Sequence, residues 1–403
     1  MIERELTPHL IRLINQYPVL TITGPRQSGK TTLCRRTFGN LPYANLEDPD
    51  VRDFATSDPR AFLAQFPEGA VLDEIQRAPD LPSYLQVLVD GEAARRSRFV
   101  LTGSEQFGWT DSISQSLAGR TAVLRLLPFT LAECSLAGAS GDINEILFSG
   151  GYPSIHAQRR HPAEALGDYI TTYVERDVRR IGAVQDLAAF ARFMRLAAGR
   201  VGQLLNVTNL ADDTGVAPGT ARSWLSVLQA SDIIFLLEPH LPNIRKRLTK
   251  SPKLYFVDVG LASYLIGIRT VEQVATHPLR GNLFENAVVS EALKHAYNTA
   301  VRHPRLSFFR TLAGLECDLL YPTASGLVAV EAKSGATLHT SWISRLKLIR
   351  RDIPDVSAAA LVYGGSQRQH RTTAEVVPLG QFAEFLTTLD PPSPGLPPEP
   401  DDS

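Results

Sequence analysis

The stretch VLTITGPRQSGKTT, residues 19–32, decides the fold. Its first five residues are apolar or β-branched, which is typical of a buried strand, and residues 24–31 fit the pattern GxxxxGK(S/T) directly after it. The glycines allow backbone N–H groups to point at phosphate oxygens, and the helix expected from Lys30 onward adds the positive end of its dipole. The stretch therefore predicts a phosphate-binding loop, called here the phosphate loop, made of Gly24, Pro25, Arg26, Gln27, Ser28, Gly29, Lys30, Thr31 and Thr32.

Two side chains of the phosphate loop have expected roles at a triphosphate. Lys30 would bridge the β- and γ-phosphates of ATP, and Thr31 would offer its hydroxyl to Mg²⁺. The metal also needs a carboxylate, and the apolar run AVLDE, residues 70–74, ends in Asp73 and Glu74. Asp73 would hold Mg²⁺ through water, and Glu74 would polarise the attacking water as a general base. A protein that only binds ATP could dispense with Glu74, so its presence favours hydrolysis.

Further candidates follow the next strand-like run, RFVLTG at 98–103. Thr102 and Ser104 would emerge where that strand ends, and either could orient the water against the γ-phosphate, although such a segment taken alone is usually an ordinary turn. Arg120, in SLAGRT, is the candidate for the positive charge that stabilises the transition state. It would act within its own chain or from a neighbouring subunit, and a plain surface arginine is the alternative.

Residues 1–135 alternate strand-like and helical stretches. The strand-like runs lie at 19–23, 43–47, 70–74, 98–103 and 122–127. Continuous apolar runs of this kind are typical of parallel strands buried on both faces, so we expect an α/β domain built on a parallel sheet. The Gly- and Ser-rich segment 135–144 ends the alternation, and a helical connector is predicted over 136–190.

Residues 205–239 have helix-turn-helix spacing, with a helix, a turn at Gly215, a second helix and a strand, and the basic cluster that follows them would sit on a wing. Between positions 192 and 253, nine basic and four acidic residues leave a local excess of five positive charges. The wing could neutralise DNA phosphates through Arg245, Lys246, Arg247 and Lys250. Since the second helix offers few side chains for reading bases, packing against a protein is the alternative.

The composition excludes several classes of protein. The 403 residues suggest two or three domains, and 44% apolar with 21% charged residues is ordinary for a globular chain. With 41 basic and 42 acidic residues, no global field would attract nucleic acid or a membrane. The sequence shows no membrane span, signal peptide, disulfide framework or zinc pattern, so a cytoplasmic protein without a membrane partner is predicted. The Pro-rich, acidic residues 390–403 are predicted to be a disordered tail.

Five motifs follow one another along the N-terminal region: GPRQSGKTT, NLEDPDVRDFA, VLDEIQRAPDL, FVLTGSEQF and SLAGRTAVLRLLPFTLAE. With FSGGYP at 148–153 and YITTYVERDVRRI at 169–181, they resemble the bacterial and archaeal AAA-superfamily ATPases that carry a C-terminal domain of unknown function. The resemblance covers nearly the whole chain. It implies a P-loop AAA-type ATPase domain at 1–135, a winged-helix-like middle domain at 191–260, and an α/β domain at 270–389 that is similar to PD-(D/E)XK nucleases.

The C-terminal unit carries charged residues in the order of the PD-(D/E)XK nuclease core. Glu285 lies in a helical stretch, Asp318 in a strand-like run, and Glu331 and Lys333 at the end of LVAVEAK. The resemblance implies that the acids would bind Mg²⁺ and that the lysine would help to position water against a phosphodiester. The alternative is a degenerate nuclease fold, kept as a binding module, in which these groups survive as an ion-pair network.

The sequence is consistent with three functions. The first is a Mg²⁺-dependent ATPase whose nucleotide state moves the winged-helix-like and nuclease-like domains, acting on DNA. The second is an ATP-regulated, metal-dependent DNA nuclease. The third is a non-enzymatic switch that holds ATP to recruit a protein partner. ATP and Mg²⁺ are the expected cofactors, and a homo-oligomer is compatible with each of the three.

Overall fold

The computed structural model of the chain describes residues 2–91, 98–103, 116–173, 184, 186–241 and 249–389. Two β-sheets organise this part of the protein, one of five strands and one of eight. Helices pack against both sheets. The chain is therefore an α/β protein in which a P-loop-type sheet at the N-terminal end is followed by a second sheet toward the C-terminal end.

The first sheet contains the five predicted strands: β1 (Val19–Thr23), β2 (Tyr43–Asn45), β3 (Val71–Asp73), β4 (Phe99–Thr102) and β5 (Thr121–Arg125). Their order is β2-β3-β4-β1-β5, and every neighbouring pair is parallel. All five residues of β1 are buried, as expected for a strand covered on both faces. Because the strands are parallel, their carboxyl ends meet at one edge, where the phosphate loop leaves β1.

The described residues form six helices around this sheet and in the segment after it: α1 (Thr7–Ile14), α2 (Lys30–Thr37), α3 (Pro49–Ser57), α4 (Pro59–Ala64), α5 (Leu81–Asp90) and α6 (Leu131–Leu136). Helix α2 begins at Lys30, directly after Gly29 in the left-handed conformation. Thr130 and Glu133 form a reciprocal capping box at the start of α6. This cap fixes α6 beside the end of the sheet that carries the phosphate loop.

In the middle of the chain, the described residues between 143 and 230 form helices. These helices are α7 (Ile143–Ser149), α8 (Pro153–Ala157), α9 (Pro162–Tyr173), α10 (Leu187–Ala198), α11 (Val207–Thr214) and α12 (Pro218–Ala230). Gly215, with φ 79°, ends α11, as the sequence predicts for the turn between the two helices. Trp224 of α12 is buried against Phe190 and Phe193, so its ring stabilises the core and does not reach a ligand.

The second sheet contains β6 (Ile234–Pro239), β7 (Lys253–Phe256), β8 (Ser307–Arg310), β9 (Glu316–Thr323), β10 (Gly326–Lys333), β11 (Val356–Tyr363), β12 (Gln369–His370) and β13 (Glu375–Pro378). Their order is β12-β13-β11-β10-β9-β8-β6-β7. The pairing of β6 with β8 joins the hairpin of the middle region to the C-terminal strands. These two regions therefore share one sheet and one hydrophobic core.

The remaining helices are α13 (Val259–Leu265), α14 (Val271–Thr276), α15 (Arg280–Asn298), α16 (Thr340–Asp352) and α17 (Phe382–Leu389). Helix α15 has 14 of its 19 residues buried, so it is enclosed on nearly all sides. It carries Glu285 near one end and Asn298 at the other, about 20 Å apart along the axis. In the described part of the chain, no helix has the length and apolar character needed to cross a membrane.

Candidate functional site

The phosphate loop has a backbone that only glycine permits at its first position. Gly24 has φ 139°, and a Cβ placed there would lie 2.1 Å from the carbonyl oxygen of Leu126. Gly29, with φ 94°, precedes α2 and leaves the first N–H groups of that helix without a side-chain cap. The geometry is suited to an anion at the helix N-terminus.

Lys30 lies inside the phosphate loop, with 6% of its surface exposed. Its ammonium donates hydrogen bonds to the carbonyl oxygens of Gly24 at 2.9 Å and Pro25 at 2.7 Å. Burial lowers the pKa of Lys30, whereas the nearby carboxylates of Glu74, Asp232 and Asp73 oppose that shift. A phosphate oxygen could therefore replace the two carbonyl oxygens as the acceptor of these hydrogen bonds. Its negative charge would also compensate the positive charge of the Lys30 ammonium.

Asp73, at the end of β3, accepts hydrogen bonds from three hydroxyl groups that lie in different elements. Thr31 donates to its Oδ2 at 2.8 Å, Tyr43 donates to the same oxygen at 2.6 Å, and Thr102 donates to Oδ1. A carboxylate beside a threonine hydroxyl is the set of oxygen donors that Mg²⁺ prefers. The residues present therefore fit the expected metal, with Thr31 and Asp73 as the side chains that would hold it.

Glu74 follows Asp73 in the left-handed region, with φ 59° and ψ 45°. Its backbone N–H is 3.4 Å from the hydroxyl of Thr102, and Gln76 donates a hydrogen bond to its carboxylate. Burial raises the pKa of Glu74, and Lys30 opposes that rise. The structure thus brings Lys30, Thr31, Asp73 and Glu74 together at one edge of the sheet, as the sequence predicts, while their chemical roles stay predictions.

The other two candidates of this region differ in their placement. Ser104 lies outside the described residues, one position beyond the described end of this segment. Arg120 precedes β5, so it lies at the edge of the sheet opposite the phosphate loop, and it forms an exposed ion pair with Asp90. The structure therefore does not bring Arg120 to the nucleotide site of its own chain, because a parallel strand separates the two edges. A role in a neighbouring subunit stays a prediction.

Arg4 is a residue of the site that sequence reasoning missed. Its guanidinium donates to the carbonyl oxygens of Ser28 at 2.8 Å and Leu127 at 2.7 Å, and to the Glu133 carboxylate at 2.9 Å. Both charged side chains are buried. Arg4 therefore joins the phosphate loop to the segment before α6. No local pattern marks an arginine twenty residues before a phosphate loop, so the sequence contained no signal for it.

A cavity of about 530 Å³ opens beside the phosphate loop. Its lining includes Arg4 together with the apolar side chains of Ile11, Leu33, Phe129 and Pro153. Gly29 forms part of the wall, so the cavity reaches the loop itself. A flat apolar group attached to a phosphate chain could enter it.

Asp232 brings the middle region to the same site. It lies in the turn between α12 and β6, is buried, and forms an ion pair with Arg125 at the end of β5. Arg125 also donates to the hydroxyl of Tyr297 in α15 at 3.0 Å. Burial raises the pKa of Asp232, and Arg125 and Lys30 oppose that rise. Arg125 is therefore the arginine that the fold places next to the phosphate loop on β5, five positions after Arg120.

The four nuclease-like residues of the C-terminal unit also converge. Lys333 lies 2.7 Å from Glu331 and 3.9 Å from Asp318, and Asp318 accepts a hydrogen bond from the backbone N–H of Ala332. Glu285 reaches the same place from α15, where Tyr255 donates to it at 2.6 Å. Burial raises the pKa of both Glu285 and Glu331.

A further lysine, which the sequence analysis did not single out as part of this site, occupies the centre of these acids. Lys253 of β7 lies 2.8 Å from Glu285 and 2.6 Å from Glu316. Among the residues that the structure describes, no group of three or more His, Cys, Asp or Glu side chains is arranged to hold a metal ion. The ammonium of Lys253 therefore lies among the carboxylates that the nuclease resemblance assigns to a metal ion.

The basic wing is described only in part. Arg245, Lys246 and Arg247 lie outside the described residues. Lys250 is described and exposed, and the neighbouring Thr249 donates its backbone N–H to the carbonyl oxygen of Arg310 at 3.2 Å. Thr249 is thus anchored at the end of β8, and a DNA contact through the four basic residues stays a prediction.

Three family models match the chain. An AAA domain matches residues 16–135, a domain of unknown function (DUF8612) matches 140–272, and a second domain of unknown function (DUF4143) matches 280–382. The first match coincides with the five-stranded sheet and the phosphate loop. The other two matches carry no description of a nuclease.

Relatives and solved structures add to this comparison. An uncharacterized protein of Mycobacterium tuberculosis, Rv2008c, is 31% identical over 369 residues, which cover 91% of this chain and 80% of that protein. The uncharacterized protein Mb2031c of Mycobacterium bovis aligns with the same values. The Walker-type ATPase PABY2304 of Pyrococcus abyssi aligns with a TM-score of 0.45 at 15% identity, covering 66% of this chain and 96% of that one.

The solved structures also include the RuvB Holliday junction branch migration motor of Thermotoga maritima, with a TM-score of 0.30 at 18% identity, covering 58% of this chain and 89% of that one. These structural likenesses are too distant to indicate a function. The identity and coverage of the mycobacterial relatives are sufficient to define a family. The chain therefore belongs to the family of these two mycobacterial proteins, and it carries an AAA domain of the P-loop ATPase type followed by DUF8612 and DUF4143.

Proposed function

We propose that this protein is a cytoplasmic, Mg²⁺-dependent ATPase that hydrolyses ATP at the phosphate loop. The observation that carries the proposal is the convergence of Lys30, Thr31, Asp73 and Glu74 at one edge of the parallel sheet. Each has the chemistry that phosphoryl transfer requires: an ammonium for phosphate oxygens, two oxygen donors for the metal, and a carboxylate for the attacking water.

The side chains of the site have different roles in ATP hydrolysis. The phosphate loop binds the triphosphate, and the cavity beside Arg4 and Pro153 takes the adenine base. Thr31 and Asp73 would hold Mg²⁺, which would neutralise developing charge on the phosphates. Glu74 accepts a proton from water as the water oxygen bonds to the γ-phosphorus. The bond between that phosphorus and the bridging oxygen breaks, and ADP and phosphate are released.

The second part of the proposal is that nucleotide state is transmitted to the C-terminal unit through α15. At one end of this helix, Asn298 donates to Glu5 at 2.9 Å and Lys294 donates to the carbonyl oxygen of Phe129 at 2.8 Å. Glu5 is the neighbour of Arg4, which contacts the phosphate loop. At its other end the helix carries Glu285, so a rigid element links the two sites.

The third part of the proposal is a DNA partner, bound through the basic segment that holds Arg245, Lys246, Arg247 and Lys250. The local excess of positive charge and the exposure of Lys250 support it. Arg120 is partly exposed, in an ion pair with Asp90, and could complete the site of a neighbouring copy in a homo-oligomer. Ser104 keeps its proposed role of orienting water, because β4 ends at the same edge as Glu74.

Two variants test the ATPase directly. Lys30→Ala should lose ATP binding, whereas Glu74→Gln should keep binding and lose hydrolysis, each measured by nucleotide titration and by phosphate release. Lys347→Ala and Glu68→Gln change the same residue types at exposed positions and serve as matched controls. Unchanged turnover in either site variant would refute the proposal.

DNA action needs its own experiment. ATP turnover measured with and without duplex DNA, at two salt concentrations, should rise with DNA and lose that rise at higher salt, because phosphate contacts release counterions. Lys250→Ala should weaken the stimulation. A slow single turnover that DNA does not change would instead favour a non-enzymatic ATP switch that recruits a protein.

The nuclease is the second candidate activity, and the convergence of Glu285, Asp318, Glu331 and Lys333 is the observation in its favour. Incubation of plasmid with Mg²⁺ or Mn²⁺ should then give cleavage that Asp318→Ala and Lys333→Ala abolish. Cleavage that persists in both variants would exclude these residues. The presence of Lys253 among the acids argues against this activity.

A further inference from the structure

Four carboxylates meet in the C-terminal unit and are called here the acid cluster: Glu285 of α15, Glu316 and Asp318 of β9, and Glu331 of β10. The ammonium of Lys253 lies among three of them, 2.8 Å from Glu285, 2.6 Å from Glu316 and 3.9 Å from Asp318. Only 3% of the Lys253 side chain is exposed. A buried ammonium with three acidic neighbours occupies the position that a bound cation would take.

The rest of the acid cluster is also compensated by cations of the chain. Lys333 lies 2.7 Å from Glu331, and Arg345 of α16 lies 3.4 Å from the same carboxylate. Arg310 of β8 lies 3.4 Å from Glu316. Four acids therefore face four bases, so the cluster has no net charge with which to attract a divalent ion.

The backbone fixes Lys253 in this position. Its strand pairs with β6, where Lys253 lies opposite Leu237, and it forms a bridge to Leu204 on its other side. The flanking hydrogen bonds Leu205 N–H to Pro252 O, at 2.8 Å, and Leu254 N–H to Gln203 O, at 3.1 Å, hold the same strand. All four residues of β7 are buried. The backbone of Lys253 is therefore fixed beside the acid cluster, and its ion pairs with Glu285 and Glu316 hold the ammonium there.

Charge repulsion then decides what the acid cluster can hold. A divalent ion bound to Glu285 or Asp318 would meet the Lys253 ammonium within a few Å, in surroundings with little water to screen the two charges. We infer that Lys253 replaces the metal ion of this cluster, which serves as an ion-pair core joining the β6–β7 hairpin to α15 and β9. The C-terminal unit then has no metal-dependent cleavage site, whatever the AAA domain does with ATP.

Direct measurement of Mn²⁺ binding tests the inference. The full chain with Asp73→Asn, which removes the carboxylate at the phosphate loop, is titrated with Mn²⁺ and followed by electron paramagnetic resonance of the free ion. We expect no tightly bound Mn²⁺, and a thermal unfolding temperature that millimolar MnCl₂ changes by less than about 1 °C. Binding of one equivalent of Mn²⁺ that Asp318→Asn abolishes would overturn the inference.

A gain of function provides the converse test. Lys253→Met in the same background removes the ammonium and keeps an unbranched side chain, so it should lower the unfolding temperature and create Mn²⁺ binding that partly restores it. Lys253→Arg keeps the charge and should behave like the parent. If Lys253→Met does not fold, the Mn²⁺ titration of the Asp73→Asn protein still tests the inference, since it needs no substitution in the acid cluster.

Discussion

The guanidinium of Arg4 lies 2.9 Å from the carboxylate of Glu133, although the two residues are 129 positions apart. Glu133 is fully buried and also accepts the backbone N–H of Glu5 at 2.8 Å and that of Thr130 at 3.0 Å. The same guanidinium also donates a hydrogen bond to the carbonyl oxygen of Ser28 in the phosphate loop. One ion pair thus connects the beginning of the chain, the nucleotide site and the cap of α6.

Arg4→Met should lower the free energy of unfolding by about 3–5 kcal/mol, because it leaves the Glu133 carboxylate buried without its cation. It should also weaken ATP binding, since the phosphate loop loses the contact at Ser28. Urea unfolding and nucleotide titration measure the two effects. Arg12→Met, an exposed arginine of α1, is the matched control. A loss of stability no greater than that of Arg12→Met would show that the ion pair is not stabilising.

Gly24→Ala should abolish ATP binding at the phosphate loop. The added Cβ would lie 2.1 Å from the Leu126 carbonyl oxygen, and alanine strongly disfavours φ 139°. We expect at least a tenfold loss of affinity and a stability cost of about 1–3 kcal/mol. Gly219→Ala, in α12 where a Cβ meets nothing within 4 Å, should leave the affinity unchanged and should not lower the stability, because alanine favours the helix. Full ATP affinity in Gly24→Ala would mean that the loop takes another backbone when nucleotide binds.

Asp232→Asn should tighten ATP binding. The Asp232 carboxylate acts on Lys30 and would repel a triphosphate, and its removal also releases Arg125 from the ion pair. Loss of one such charge is worth about 1 kcal/mol, so the dissociation constant should fall about threefold to tenfold at pH 8. Asp213→Asn removes the same charge from the exposed pair with Arg200 and should have no effect. An unchanged or weaker affinity in Asp232→Asn would contradict the expectation.

Glu291→Gln should stabilise the protein at high pH. Burial raises the pKa of Glu291 from 4.5 to about 7, so between these values the folded state holds a proton that the unfolded state has released. The contribution of the Glu291 carboxyl to the free energy of unfolding is therefore fully present below pH 4.5 and is lost as the pH rises through 7. Glutamine keeps an oxygen for the Leu131 N–H, which is 3.0 Å away, without the charge.

The stability gain of Glu291→Gln should be near zero at pH 4.5 and should reach about 2–3 kcal/mol at pH 8. Urea unfolding at several pH values measures it. Glu164→Gln, at a position that is not buried in α9, provides the comparison. If the wild-type and Glu291→Gln stability curves run parallel with pH, the carboxyl of Glu291 does not titrate near neutrality.

The placement of Arg120 shows how far a local pattern can be trusted. The apolar run of β5 begins at Thr121, so Arg120 comes before the strand and Arg125 ends it. In a parallel sheet the residue before a strand lies at the edge opposite the phosphate loop. The sequence contained this information, because the order of Arg120 and the apolar run is visible in it. Arg125 was not among the residues predicted for the site, because the direction of the strand was not applied to the two arginines that flank it.

The sequence by itself determined the five parallel strands, the phosphate loop and the pairing of Thr31 with Asp73. These features depend on short contiguous patterns and on the rule that parallel strands end at one edge. Tertiary structure alone decided that Arg4 meets Glu133, that Asp232 approaches Lys30, and that Lys253 enters the acid cluster. Each of these contacts joins segments that are distant in the chain, and a side chain's charge does not reveal which opposite charge the packing of helices and strands will bring beside it.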